Sequence, residues 1–148
     1  MRESYKHTQI GTVILLSFGV ATLILLLAMA VTKPILPLAL ILGLLLIVAA
    51  LFFSLSIEIR GEFVCWRFGV GLVRKRIKLA DIQAVEIVKN PWWYGFGIHL
   101  TPRGWLYNVS GLRGVEIALK NGKSFRLGTD EPESLAQALN DALSSQQL

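Results

Sequence analysis

Two stretches of this chain carry side chains whose types and spacing could do chemistry. The first is Arg74-Lys75-Arg76 with Lys78, four cations within five positions. Cations grouped in this way can hold a phosphate or an anionic lipid head group, because clustered charge beside a bilayer attracts acidic lipid. A plainer reading uses the same spacing: in a strand, alternation sends Arg74, Arg76 and Lys78 to one solvated face. The second stretch is Asn90-Pro91-Trp92-Trp93-Tyr94-Gly95-Phe96-Gly97, with Arg103 and Trp105 close behind, and it holds three of the four tryptophans between positions 92 and 105. Trp92, Trp93, Tyr94, Arg103 and Trp105 form either an aromatic surface suited to the head-group level of a membrane or a loop folded inward to fill a small core.

Other chemistry is harder to find. Glu58, Glu62, Asp81, Glu86 and Glu116 are scattered, with no paired carboxylates and no Ser-His-Asp set at a useful spacing. His7 and His99 lie far apart without Cys or acidic ligands at metal spacing, so neither a metal nor a cofactor site is expected. The single cysteine, Cys65, reads as a small buried strand residue rather than a reactive thiol. Gly95-Phe96-Gly97 lacks the glycine fingerprint and the strand-to-helix setting of a nucleotide loop. If the chain is an enzyme or an accessory subunit whose site a partner completes, His99 and Arg103 beside the aromatic loop are its most plausible contributors.

The elements that must position these residues divide the chain in two. Of 148 residues, 53% are hydrophobic and only 17% charged, against roughly 25% charged in a soluble domain. From Ile10 to Ile57 the only charged side chain is Lys33. Lys33, Pro34 and Pro37 split that block into apolar runs of about the 20 residues that cross a hydrocarbon core at 1.5 Å per residue. The reading is a short tail at 1–9, a first transmembrane helix at 10–31, a loop at 32–36 and a second helix at 37–55. The short loop makes the pair an antiparallel hairpin. A cleaved leader ending at Ala28-Met29-Ala30 fits less well, since the apolar stretch before it exceeds the 7–15 residues of a signal core.

From Ser56 the apolar period changes to two. Residues 57–59, 64–68, 85–87, 98–100, 105–109, 115–119 and 125–127 alternate as strands do, separated by glycine-bearing turns. Asn121-Gly122 between two such runs predicts a type I′ hairpin, in which both central residues take positive φ. Asp130 then reads as an N-cap with Glu133 as its capping-box partner. Leu135, Leu139 and Leu143, beside Ala136, Ala138 and Ala142, give a helix with one apolar stripe, fit to close an open end of the sheet structure. Residues 144–148 read as a frayed polar tail.

About seven strands and one C-terminal helix is the order of the pleckstrin-homology (PH) superfold. The chain resembles the bacterial PH-domain-like membrane proteins, in which two transmembrane helices precede such a domain. The resemblance rests on Arg74-Lys75-Arg76-Ile77-Lys78-Leu79-Ala80-Asp81-Ile82 with Val85-Glu86, on Gly104-Trp105-Leu106-Tyr107 with Val109, and on Gly122 to Asp130 leading into the helix. It implies an α+β membrane protein: a two-helix hairpin, then a PH-like antiparallel sandwich or barrel over residues 56–143 that folds without residues 1–55.

Arg2, Lys6, Arg60, Arg67, Arg74 and Lys75 flank the hairpin on one side and Lys33 stands alone on the other, which puts both termini in the cytoplasm by the positive-inside rule. The mild excess of positive charge, +5 overall, suits an anionic leaflet. Without a recognition motif it does not argue for nucleic acid. The expected function is a binding or scaffolding module at the cytoplasmic membrane surface. Its partners would be the bilayer, anionic head groups and a membrane or cytoplasmic protein, and a homo-oligomer is compatible with the reading.

Overall fold

The computed structural model of the chain describes residues 5–146; Arg2 lies outside them. A strand, β1 (Lys6–Ile10), comes first, followed by two helices, α1 (Thr12–Val31) and α2 (Ile35–Phe52). Eight strands follow: β2 (Ser54–Arg60), β3 (Phe63–Phe68), β4 (Val73–Lys78), β5 (Ile82–Lys89), β6 (Gly97–Thr101), β7 (Gly104–Asn108), β8 (Arg113–Leu119) and β9 (Ser124–Gly128). Helix α3 (Pro132–Gln146) closes the described chain.

Both long helices are apolar throughout, and both are long enough to span a membrane. They are also unburied: Ile14 is the only buried side chain of α1, and α2 has none. A core helix of a soluble protein would show the opposite. Pro37 sits in the first turn of α2, where its missing N–H would have no intrahelical acceptor, so the helix begins at Ile35 and the connection shortens to Thr32-Lys33-Pro34. At its other end α2 stops at Phe52, because Ser54 and Leu55 already belong to β2.

The largest departure from expectation is at the start of the chain. Residues 6–10 are not a tail: they pair antiparallel with β2, from Lys6 opposite Glu58 to Ile10 opposite Ser54. The helical hairpin is therefore an insertion between two neighbouring strands of one sheet, and removing residues 1–55 would remove an edge strand. Cleavage after Ala30 would strip the same strand. The junctions are tight, with one residue, Gly11, between β1 and α1, and its N–H donating to the Phe53 carbonyl at 2.7 Å.

The strands form two sheets, β1-β2-β3-β4 and β5-β8-β9-β7-β6, with no ladder joining them among the described residues. The second is not wholly antiparallel as expected, because β7 and β9 run parallel. The reason is topological: the β6–β7 hairpin is placed outside β9, so the connection from β7 to β8 passes over one strand position. The inner faces share a core. Trp66 stacks on Phe125 with ring centroids 5.0 Å apart and lies 5.3 Å from Tyr107. Leu55, Ile57 and Val64 from one sheet join Val115, Ile117 and Leu127 from the other. Phe52, the last residue of α2, packs edge-on against Phe68 at 5.3 Å, so the helix base is wedged into this core.

Helix α3 packs on β5 and β8 and buries Leu135, Ala136 and Leu139 as its stripe predicts. Each such buried Leu is worth about 1.5–3 kcal/mol relative to exposure. The helix runs three residues past the expected end at 143, and its start differs too. Asp130 does not cap it, since the carboxylate faces His7 Nε2 at 2.6 Å, and Glu133 pairs with Arg113. The Asn-Gly turn is also of another type. Asn121 has negative φ and Gly122 alone is positive at 85°, with Gly122 N–H donating to the Leu119 carbonyl at 3.0 Å. That is a three-residue loop ending in a left-handed glycine.

Candidate functional site

The inserted hairpin gives the β domain two unlike ends. The proximal end carries Ile10 and Ser54, next to the helices. Register assigns the other connections. Leu55 pairs with Phe68, so the β3–β4 turn is proximal. Val109 and Ser110 are proximal because Gln9 Nε2 donates to the Ser110 carbonyl at 3.1 Å and Thr12 Oγ1 lies 2.9 Å from Ser110 Oγ. Lys89 pairs with Arg113 and Gly97 with Asn108, which brings the whole 90–96 connection to the same end. Turns 61–62, 79–81, 102–103 and 120–123 are distal.

The basic stretch is β4, the edge strand of its sheet, and alternation divides it. Arg74, Arg76 and Lys78 lie on the outer face, opposite Arg67, Cys65 and Phe63. Only Arg74 is proximal; Arg76 and Lys78 stand about 7 and 13 Å further up the strand. Lys75 turns to the other face, where its ammonium donates to Tyr107 Oη at 2.9 Å and sits 5.3 Å from that ring and 5.9 Å from Trp105. The four cations therefore do not form one patch. Arg67, which belongs with Arg74 by register, is the member sequence reasoning missed. Cys65 is on a strand as expected but only half-buried, on this outer face.

The aromatic group divides as well. Trp92, Trp93 and Tyr94 form a short 3-10 turn at the proximal end. Trp92 and Trp93 are 74% and 68% exposed, so neither fills the core. Phe96 does pack against it. Arg103 and Trp105 lie at the distal end, away from Trp92 and Trp93. There Trp105 and Leu100, cross-strand partners, make a smaller exposed apolar spot.

Beneath the aromatic loop is a buried polar group that no sequence motif announced. Arg126 Nε donates to Glu116 Oε2 at 2.7 Å, with both side chains about nine-tenths buried. Its Nη1 donates to Asn90 Oδ1 at 2.9 Å, and Asn90 N–H donates to the Leu112 carbonyl at 2.6 Å. Asn90 opens the tryptophan loop, so this group pins the loop to the sheet. Arg103 reaches the other Glu116 oxygen at 3.7 Å, and the His99 ring turns back onto the Phe96 carbonyl. Both residues proposed for an enzyme site are thus engaged in local contacts.

A second polar cluster ties β1 to the start of α3. His7 contacts Asp130 and Glu131 through its two ring nitrogens, at 2.6 and 3.3 Å, and Tyr5 Oη donates to Glu131 Oε1 at 2.7 Å. Burial first, then the Glu131 hydrogen bond and charge, push the Tyr5 phenol well above its usual range. The partners lie more than 120 residues apart, and only the β1 pairing brings them together. A comparison with models of protein families and one with curated proteins find no match to this chain. Fold and geometry define its class: an α+β chain with two membrane-length helices inserted in a two-sheet domain that ends in a helix.

Proposed function

We propose that this protein is a membrane-anchored PH-like binding module, with both termini in the cytoplasm, that recognises a protein partner or anionic lipid at the bilayer surface. One observation carries the reading. The membrane-length hairpin leaves and re-enters between paired strands, so the domain is tied to the helices at two adjacent points while Trp92 and Trp93 stand exposed at that same end. Tryptophan favours the head-group layer, where an apolar ring and a polar N–H are both satisfied. The PH-like reading draws support from the element order, a strand-rich domain followed by a C-terminal helix, here with nine strands where the resemblance implies about seven. The excess of Lys and Arg on the domain side supports the orientation.

The test is hydrogen exchange on the full-length protein in nanodiscs of phosphatidylglycerol and phosphatidylcholine, compared with phosphatidylcholine alone. Slower exchange of the proximal connections and the outer face of β4 in the anionic discs is expected. Identical exchange in both would remove lipid recognition. A reporter fused after Leu148 that is active only outside the cytoplasm should stay silent, and activity would reverse the orientation.

A further inference from the structure

The β3–β4 turn, Gly69-Val70-Gly71-Leu72, is seated against the end of α2. Gly69 N–H donates to the Ser54 carbonyl at 2.8 Å. A Cβ at position 69 would collide with the carbonyl oxygens of Ala50 and Leu51, so only glycine lets the turn approach the helix this closely. Beyond that contact the turn presents Val70 and Leu72, 63% and 78% exposed. Apolar side chains at the tip of a turn have no core to join, yet these belong to a turn whose first glycine is seated against the last residues of a membrane-length helix.

Behind them, Arg67 and Arg74 are direct cross-strand partners on the outer face. Both are exposed, and neither forms an ion pair with a described residue. Two like charges placed opposite each other weaken a ladder, unless an anion lies between them. Two guanidinium forks suit a phosphate, which accepts several hydrogen bonds at once. The height is also right: two strand positions, about 7 Å, separate Arg67 from Gly69 and Arg74 from Leu72. If the turn enters the acyl boundary, the arginines reach the phosphate layer.

We infer that the β3–β4 turn is a second membrane contact, in which Val70 and Leu72 enter the bilayer interface and Arg67 and Arg74 clamp the phosphodiester of one membrane phospholipid. This deepens the membrane-anchored reading and rests on it. With the tryptophan loop and the helix bases it would hold the domain at three points, leaving Arg76 and Lys78 above the phosphate layer.

The test uses full-length protein in vesicles of phosphatidylglycerol and phosphatidylcholine. A Cys65→Ser background carries an environment-sensitive fluorophore at Leu72→Cys or, as the distal reference, at Lys123→Cys. Emission from position 72 should be blue-shifted and quenched by lipids brominated near the top of the acyl chain, while position 123 responds to neither. Equal behaviour of the two positions in protein that resists alkaline extraction would overturn the inference and leave the anchor standing; protein released by alkali would overturn both. In native mass spectrometry of protein extracted from the same vesicles, Arg67→Gln with Arg74→Gln should lose retained phospholipid, whereas Arg76→Gln with Lys78→Gln, an equal change in charge, should keep it. Equal loss from the two pairs would overturn the clamp.

Discussion

The two ends of the β domain are made of the same strands but connected by different chemistry. Proximal connections present Val70, Leu72, Trp92 and Trp93 to the outside. Distal ones present Glu62, Lys120, Asn121 and Lys123. A turn has no packing reason to be apolar, so its composition records the medium around it. The exposed side chains of the distal turns are polar and those of the proximal ones apolar, the difference expected if the proximal end meets an interface.

The strongest way to break that contrast is to remove the helices. Ile10 and Ser54 are cross-strand partners, about 5 Å apart, so a short turn replacing residues 11–53 should leave a cooperatively folding domain that binds phosphatidylglycerol vesicles through its proximal connections. Removal of residues 1–55 should instead abolish folding, a loss on the order of the whole 5–15 kcal/mol of a domain. Tryptophan fluorescence through urea denaturation, with vesicle flotation, distinguishes the two. A folded short-turn domain that ignores vesicles would show that the proximal end is no different from the distal one.

The next largest effect concerns what holds the tryptophan loop down. Glu116→Ala leaves the Arg126 guanidinium buried without its carboxylate, which should cost about 3–5 kcal/mol. It should also speed amide exchange in residues 90–96 more than in 119–123, because Asn90 depends on the same arginine. Glycines give a finer comparison. Gly69 and Gly122 both have positive φ, and alanine at Gly122 meets nothing within 4 Å, so Gly122→Ala should cost about 1–2 kcal/mol of backbone strain alone. Gly69→Ala adds the collision with α2 and should cost more. Equal costs would mean that the proximal turn is not seated on the helix.

The smallest effect is a pH dependence. The Tyr5 phenol is raised above its ordinary value of 10.0 by burial and by Glu131. Both folded and unfolded chains keep it neutral below that value, so its contribution is complete there. As the pH climbs past 10 the unfolded chain ionises first, and the contribution is lost. Tyr5→Phe should therefore be less sensitive than the parent to alkaline unfolding above pH 10, measured by circular dichroism.

Much of the architecture was legible in the sequence because period and length carry it. Two apolar runs without a polar face read as helices of membrane-spanning length, and both are such helices; seven of the nine strands alternate openly. The other two lack that signal for definite reasons. β1 is five residues long and abuts the apolar block, which draws Ile10 into the helix reading. In β4 there is no apolar alternation to see, because Arg74 and Arg76 on one face and Lys75 on the other are all basic; strand geometry alone put Arg74, Arg76 and Lys78 on one solvated face, as found. The candidate site was legible by composition and not by grouping: Arg74 belongs with Arg67, and Trp92 and Trp93 are parted from Arg103 and Trp105 by the length of a strand pair.

Register explains the remainder. A two-residue Asn-Gly turn would have set Glu116 against Leu127; the three-residue loop shifts the pairing by one and sets it against Arg126, creating the buried pair that holds the loop. The sequence by itself determined the hydropathy and the element type of each segment, because side-chain hydrophobicity and its period are local properties. Which strand lies beside which, where the hairpin enters the sheet and which charges meet were decided by the tertiary structure. Those depend on hydrogen-bond register and on core packing between residues as many as 126 positions apart, quantities that no window of sequence contains.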